Sequence, residues 1–275
     1  MQVQDLLKQT DKLPNVPDVV RELIQLLNDP NAKYSTISER VSHDQTISLK
    51  ILRVVNSAYF GLSRKISSID EATVLLGMDK LKTLVIASGF SGSVTKVEGI
   101  TLSEFWADSF RVAELAQWIA KRTELVEPDE AFTAGIVHNI GKLLLHLTAP
   151  DIALEIQERV ANRKAGRVKA EQDLLGFTSQ DAGKALMDLW KFPAELGSAI
   201  QQHKRPFSEG EPEPLACVLN LACYLNACIR NDRDYDLVRE GFPMAVAKAA
   251  GLADGIVYEL DDALMIGDGL NQLLN

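Results

Sequence analysis

The chain has 275 residues, of which 46% are hydrophobic and 24% charged, as expected for a globular protein with one large domain or two medium ones. Its formal net charge of −9 and isoelectric point near 5.1 disfavour nucleic acid as a partner, because nucleic-acid binding depends on clustered lysines and arginines. The N-terminal sequence has no basic segment followed by an apolar run, and no apolar stretch is long enough to cross a bilayer. We therefore expect a cytoplasmic protein without a membrane-spanning segment.

Helical signals follow one another along the chain. Apolar residues with helical spacing run from Val19 to Leu27 and from Ile47 to Val55. Three hydroxyl residues that precede a glutamate by three positions, Thr36, Ser68 and Thr101, predict helix N-caps. No two alternating segments are joined by a hairpin dipeptide, so the sequence predicts an all-α fold.

Two segments interrupt the helical pattern. The segment from Gly89 to Ile100 contains three glycines and predicts a flexible joint. This joint divides the chain into an N-terminal helical domain of residues 1–92 and a C-terminal helical domain of residues 93–275, both of ordinary domain size. The second segment, from Lys204 to Pro214, is rich in proline and predicts an irregular surface loop.

The three cysteines, Cys217, Cys223 and Cys228, lie in one apolar stretch and lack Cys-x-x-Cys spacing. This pattern indicates neither a disulfide framework nor a zinc site. We expect all three to be small buried side chains in a reducing compartment.

The stretch AGIVHNIGK places His138 beside Asn139 in an apolar segment. We expect residues 131–147 to form one helix, on which Gly135 and Gly141 let neighbouring backbones approach closely and leave the polar pair largely buried. A histidine followed by an aspartate could bind a metal ion through both side chains, but here an asparagine follows. The alternative, which we favour, is a hydrogen-bonded pair in the core.

The chain resembles the HDOD family, the HD-related output domain of bacterial signalling proteins. The similarity is carried by Leu13–Pro17, by residues 43–61 ending in NSAYFG, by residues 66–77, by Phe105-Trp106, by HNIGK at 138–142, by residues 183–193 and by residues 199–203. The resemblance implies an all-helical N-terminal bundle joined to an HD-like helical domain. It also implies a regulatory role rather than established catalysis.

Catalytic relatives in the wider HD superfamily bring histidines and aspartates from several helices onto one or two metal ions, which activate water against a phosphoester. Matched by local context, those positions are held here by Asp108, His138-Asn139, Ser179, His203-Lys204 and Cys223. Only His138 and His203 are of the expected type. Because Asn139 has no charge and Lys204 would repel a cation, the resemblance implies a degenerate site with no metal and no enzymatic activity. A substitute set of Asp108, His138, His203 and Asp181 stays open, although nothing in the spacing shows that these residues converge.

The remnant of this site has two interpretations. Lys142, His203, Lys204 and Arg205 could line a basic pocket beside His138 that holds an anion such as a nucleotide phosphate. Alternatively, Lys142 and the Lys204-Arg205 pair simply face solvent, which is the usual position of such side chains and the interpretation we prefer. By similar reasoning, His146 is expected near the surface.

Three functions follow from these patterns. We favour a non-catalytic signalling module that binds a protein partner, because the chain has no room for a receiver, cyclase or phosphodiesterase domain beside the HDOD match. The alternatives are a metal-dependent phosphohydrolase acting on nucleotides or cyclic dinucleotides, and a sensor that binds a phosphorylated small molecule without cleaving it. We expect no cofactor or metal. The candidate ligand-binding residues are Asp108, His138, Asn139, Lys142, His203 and Lys204.

Overall fold

The computed structural model describes residues 2–8, 26, 33–43, 45–56, 64–77, 81, 84–85, 97–162, 166–190, 192–208 and 210–266. Within these ranges the fold is all-α, as predicted, with one isolated antiparallel β-bridge between Val97 and Ile100. The α-helices that we number are α1 (Val3–Leu7), α2 (Tyr34–Ser42), α3 (Gln45–Val55), α4 (Leu102–Ala120), α5 (Pro128–Val137), α6 (Ile140–Thr148), α7 (Pro150–Ala161), α8 (Arg167–Leu175), α9 (Ser179–Leu189), α10 (Ala194–Gln202), α11 (Pro214–Arg230), α12 (Tyr235–Glu240), α13 (Met244–Ala249) and α14 (Leu260–Leu264). Residues 69–77 are also helical, and Asp254–Tyr258 form a 3₁₀ helix.

The long helix α4 packs against α5 and α11, and α10 contacts both α5 and α11. Leu115, Ile119 and Phe132 are fully buried in this part of the core. A Cβ at Gly135 would lie only 2.3 Å from Cα of Ala113, so the approach of α5 to α4 requires glycine at this position. No described helix is both long enough and apolar enough to span a membrane.

A second close contact joins α6 to α9. A Cβ at Gly141 would lie 1.9 Å from the carbonyl oxygen of Ser179 and 2.5 Å from the backbone nitrogen of Gly183. The predicted close approach of backbones at Gly135 and Gly141 is therefore confirmed. The short N-terminal helix α1 packs on α6 and α9 as well.

The single helix predicted over residues 131–147 is wrong. Helix α5 ends at Val137 and α6 begins at Ile140, with His138 and Asn139 at the junction. Nδ1 of His138 donates a hydrogen bond to the carbonyl oxygen of Gly135 at 2.7 Å, and a side-chain bond of this kind competes with the backbone ladder of a helix. Asn139 has left the helical conformation, with φ −103° and ψ 8°. The break therefore falls on the two polar residues.

The other predicted boundaries have mixed outcomes. Ser68 directly precedes the helical residues 69–77, and Thr101 is the N-cap position of α4, as predicted. Thr36 is not an N-cap, because the N–H of Ile37 already donates to the carbonyl oxygen of Lys33 and α2 begins at Tyr34. The irregular segment before Pro214 is confirmed, since α10 ends at Gln202.

Two predictions fall where the structure gives little or no description. The apolar pattern from Val19 to Leu27 lies outside the described residues except at position 26. The proposed domain boundary between residues 92 and 93 also lies outside them, and the division into residues 1–92 and 93–275 stays a prediction.

Candidate functional site

A cavity of ≈ 420 Å³ opens beside the junction of α5 and α6. Five of the six predicted site residues reach its wall, namely Asp108, His138, Asn139, Lys142 and Lys204. The sixth, His203, is fully buried and does not line the cavity. Its ring packs edge to face on the ring of His138, with centroids 5.8 Å apart.

Helix ends position these side chains. His138 is the C-cap residue of α5 and His203 the C-cap residue of α10. Nδ1 of His203 donates to the carbonyl oxygen of Ile200 at 2.7 Å, which repeats the bond from His138 to Gly135. The carbonyl oxygen of His203 in turn accepts a hydrogen bond from Nδ2 of Asn220 at 2.7 Å, which ties the end of α10 to α11.

One face of α11 forms another part of the wall. It contributes Cys223, Asn226, Ala227 and Arg230. Asn226 and Ala227 lie three and four positions after Cys223, and Arg230 lies four and three positions after them, so all four share one face of the helix. Cys223 was predicted at the position of the family's closing aspartate, whereas the rest of this face was not predicted. Helical spacing forward from Cys223 would have identified Arg230.

The charges around the cavity are mostly positive. Oδ2 of Asp108 accepts a hydrogen bond from Nη1 of Arg230 at 2.6 Å, and Oδ1 lies 3.8 Å from Nη1 of Arg111. Asp108 is thereby paired with two arginines. Lys142 is partly buried, and Lys204 is exposed at the cavity wall. Burial lowers the pKa of Lys142, and the positive charge of Arg167 lowers it further.

Cys223 lies among positive and imidazole groups. Burial raises the pKa of its thiol, but Lys204, His138 and His203 outweigh this effect and hold the pKa well below its ordinary value. Burial lowers the pKa of His203 and so disfavours its charged imidazolium form. The wall of the cavity therefore favours negative charge on Cys223 itself.

Comparison with known proteins decides the family. The model of the HDOD domain matches residues 13–206, which is more than half of the chain. The chain belongs to the HDOD family. The resemblance found in the sequence is thus confirmed.

Solved structures agree with this assignment. A crystal structure from Shewanella amazonensis SB2B, of a protein provisionally named a phosphohydrolase, is 35% identical and superposes with a TM-score of 0.80, over 98% of each chain. An HDOD protein of unknown function from Geobacter sulfurreducens is 23% identical, with a TM-score of 0.75 over 99% of this chain and 97% of that one. The second match supports the fold alone.

Curated relatives are longer proteins. An uncharacterised Treponema pallidum protein is 24% identical over 80% of this chain and 42% of its own length. The Vibrio cholerae protein CdgJ, named a cyclic di-GMP phosphodiesterase, is 29% identical over 66% of this chain and 46% of its own length. The HDOD chain thus spans less than half of either relative.

Ser179, which stands at a position matched to the superfamily's site, and Asp181, a member of the substitute ligand set, are both engaged elsewhere. Ser179 donates from its backbone N–H and its hydroxyl to Oε2 of the buried Glu171, at 2.8 and 3.0 Å. Asp181 accepts from the backbone N–H and hydroxyl of Thr178 and from Nε2 of Gln201. Neither residue lines the cavity. The substitute ligand set that includes Asp181 is therefore not assembled.

The side chains at the cavity that could act as metal ligands do not, taken together, fit a metal ion. In the described part of the chain, no group of three or more histidine, cysteine, aspartate or glutamate side chains could hold one. One feature in favour of a metal is Nε2 of His203, which is buried and has no hydrogen-bond partner among described residues. Against it stand Lys142 and Lys204 on the cavity wall and the pairing of Asp108 with arginines.

Three predictions about side-chain positions need correction. His146 is not near the surface: it is 2% exposed, and its Nδ1 donates to the carbonyl oxygen of Glu98 at 2.9 Å. Lys142 does not simply face solvent, because it is partly buried and lines the cavity. Cys217 and Cys228 are buried as expected, but Cys223 is partly exposed because it faces the cavity.

Proposed function

We propose that this HDOD chain is a non-catalytic regulatory module that acts in bacterial signal transduction by binding a protein partner. The observation that carries the proposal is the charge at the cavity beside His138. Lys142, Lys204 and Arg230 line it, and Asp108, which also lines it, is paired with arginines. A divalent cation would be repelled at this position, and hydrolysis of a phosphoester in the HD superfamily depends on such an ion.

Exposed apolar side chains support a protein partner. Val74 and Leu75 are adjacent in the helical residues 69–77 and are 72% and 43% exposed, and Leu49 on α3 is 52% exposed. Apolar side chains of this size on a surface are a frequent component of protein interfaces. If these side chains contact the partner, Val74→Asp will weaken its co-purification with an affinity-tagged chain.

The second candidate is a metal-dependent phosphohydrolase. The unpartnered Nε2 of His203 favours it, as does the name of the relative CdgJ. Both histidines also hold their Nδ1 on a backbone carbonyl, as metal-ligating histidines do, although the same bond belongs to their positions at the ends of α5 and α10. The excess of lysine over carboxylate at the cavity outweighs these features.

Metal analysis and an activity assay separate the two functions. The purified chain is incubated with Mn²⁺ or Ni²⁺, bound metal is measured by elemental analysis, and hydrolysis is followed with bis-p-nitrophenyl phosphate and with cyclic di-GMP. We expect less than stoichiometric metal and no turnover above buffer. Stoichiometric metal together with turnover that disappears in His138→Ala would overturn the proposal.

A further inference from the structure

Positive charge is concentrated at the cavity beside the junction of α5 and α6. Lys142, Lys204 and Arg230 all line it, whereas Asp108 is the one carboxylate among the described residues of its wall. The lining thus has three cations against the carboxylate of Asp108 and the thiol of Cys223, whose pKa is held well below its ordinary value, so positive charge is still in excess. The excess is local, because the whole chain carries a formal net charge of −9.

The carboxylate of Asp108 does not serve as counter-ion to Lys142 or Lys204, because arginines already bind it. It is already bound by Arg230 at 2.6 Å and lies 3.8 Å from Arg111. Neither Lys142 nor Lys204 makes an ion pair with a carboxylate in the described part of the chain. Within that part, neither ammonium group is therefore held by a carboxylate, and an anion-forming group near Lys204 is the thiol of Cys223, whose pKa Lys204 lowers.

Lys142 is held in an environment that disfavours its charge. Burial lowers its pKa, and Arg167 and Arg230 lower it too, while Asp108 and Glu171 oppose the shift without cancelling it. An ammonium group that is partly withdrawn from water near other cations gains stability when an anion binds beside it. The surroundings of Lys142 therefore favour a bound anion over water in this cavity.

Size and neutral donors indicate what kind of anion fits. The volume of ≈ 420 Å³ lies in the usual range for small-molecule sites and exceeds the need of a simple inorganic ion. Asn139 and Asn226 add amide groups to the wall. Because Oδ1 of Asn226 accepts a hydrogen bond from Arg111 at 3.2 Å, its NH₂ group remains as a donor for a ligand.

We propose that this cavity binds a small molecule carrying a phosphate group, held without a metal ion by Lys142, Lys204 and Arg230. This inference rests on the proposed non-catalytic function, since it assigns the lysines the place of the metal. A phosphate suits the site better than a carboxylate because it offers three terminal oxygens and about two negative charges to three cations. The phosphate oxygens accept from the cations, while Asn139 and Asn226 face the remainder of the ligand.

Calorimetric titration of the full chain tests the proposal. The probes are pyrophosphate and adenosine 5′-monophosphate, at constant ionic strength and in EDTA so that no metal mediates binding. We expect at least one probe to bind. Lys142→Met and Lys204→Met are each expected to weaken that binding about tenfold or more, because each removes one charge-assisted contact.

Arg205→Met is the matched control for Lys204→Met. Arg205 is the next residue, is also exposed and does not line the cavity, so its replacement removes one positive charge without touching the site. The affinity of the Arg205→Met protein for the probe is expected to equal that of the wild type. Thermal unfolding without probe shows whether each variant is folded, and the exposed Lys204 keeps the test decisive if Lys142→Met does not fold.

Several results would overturn the anion site. These are the absence of binding by either probe at millimolar concentration, an equal loss of affinity in Arg205→Met and Lys204→Met, and undiminished binding in both lysine variants. The proposed function fails separately: if Mn²⁺ causes pyrophosphate cleavage while binding in EDTA persists, the anion site stands and the non-catalytic role does not. Absence of both binding and cleavage contradicts the anion site alone.

Discussion

The rings of His138 and His203 meet edge to face, with centroids 5.8 Å apart, and each residue is the C-cap of its own helix. Each Nδ1 donates at 2.7 Å to the carbonyl oxygen three residues earlier. The C-terminal ends of α5 and α10 are thereby brought together at one point. This arrangement brings together the two histidines that the HD resemblance predicts, at a cavity that Lys142, Lys204 and Arg230 also line.

The burial of His146 predicts a specific loss of stability in acid. Burial lowers the pKa of His146 to about 4, whereas the unfolded chain protonates it near its ordinary value. Between these two values the unfolded state binds more protons, so the contribution of His146 to stability is complete above the ordinary pKa and is lost as pH falls towards 4. From about pH 7.5 to about pH 5 we expect a loss of about 2 kcal/mol from this residue.

Urea unfolding of the wild type and His146→Asn at both pH values measures this loss. Asparagine keeps a donor for the carbonyl oxygen of Glu98 but does not titrate, so the wild type should lose about 2 kcal/mol more than the variant. Equal losses in the two proteins would show that another group is responsible.

Much of the fold follows from the sequence, but the site follows only in part. Helical periodicity predicts the all-α class, and Gly135 and Gly141 predict close helix contacts. The break at His138 is hidden, because AGIVHNIGK reads as an uninterrupted helical segment, whereas in the structure His138 bonds to the carbonyl oxygen of Gly135 and Asn139 leaves the helical conformation. Arg230 was missed because motif matching stops at single positions and does not follow the face of α11 onward from Cys223.

The buried carboxylate of Glu171 provides a prediction about stability. Glu171 is fully buried, accepts from Nε of Arg167 at 2.7 Å and binds the start of α9 through Ser179. Glu171→Gln removes the charge and leaves Arg167 without its partner. The free energy of unfolding should fall by about 3 kcal/mol.

Asp173→Asn on the same helix is the control for Glu171→Gln. Its carboxylate pairs with Lys169 on the surface, where both side chains are largely open to solvent. The change should stay within about 0.5 kcal/mol in the same urea unfolding experiment. A similar cost in both variants would mean that burial does not determine the strength of these pairs.

The contact between α6 and α9 depends on the absence of a side chain at Gly141. Gly141→Ala would place Cβ 1.9 Å from the carbonyl oxygen of Ser179, and backbone atoms cannot move aside as a flexible side chain can. We expect a loss of about 3 kcal/mol or more, measured by thermal or urea unfolding. Gly255→Ala, where no atom lies within 4 Å of the added Cβ, should change stability by less than about 0.5 kcal/mol.

Restoring the residues that the HD superfamily uses at two positions should not restore catalysis. Asn139→Asp together with Lys204→His adds one carboxylate and one imidazole and removes one cation from the cavity. Lys142 and Arg230 still line it, and Asp108 stays paired with arginines. We therefore expect no hydrolysis of bis-p-nitrophenyl phosphate by the double variant in Mn²⁺ or Ni²⁺.

The same double variant should also have a measurable effect on anion binding, because it makes the cavity less positive. It replaces a neutral side chain with an anion and a fixed cation with an imidazole, so the binding of pyrophosphate in EDTA should weaken about tenfold or more. Turnover that appears in the double variant and disappears when His138→Ala is added would show that two substitutions suffice to rebuild a metal centre. In that case the positive charges of Lys142 and Arg230 would not be the barrier to a cation at this position.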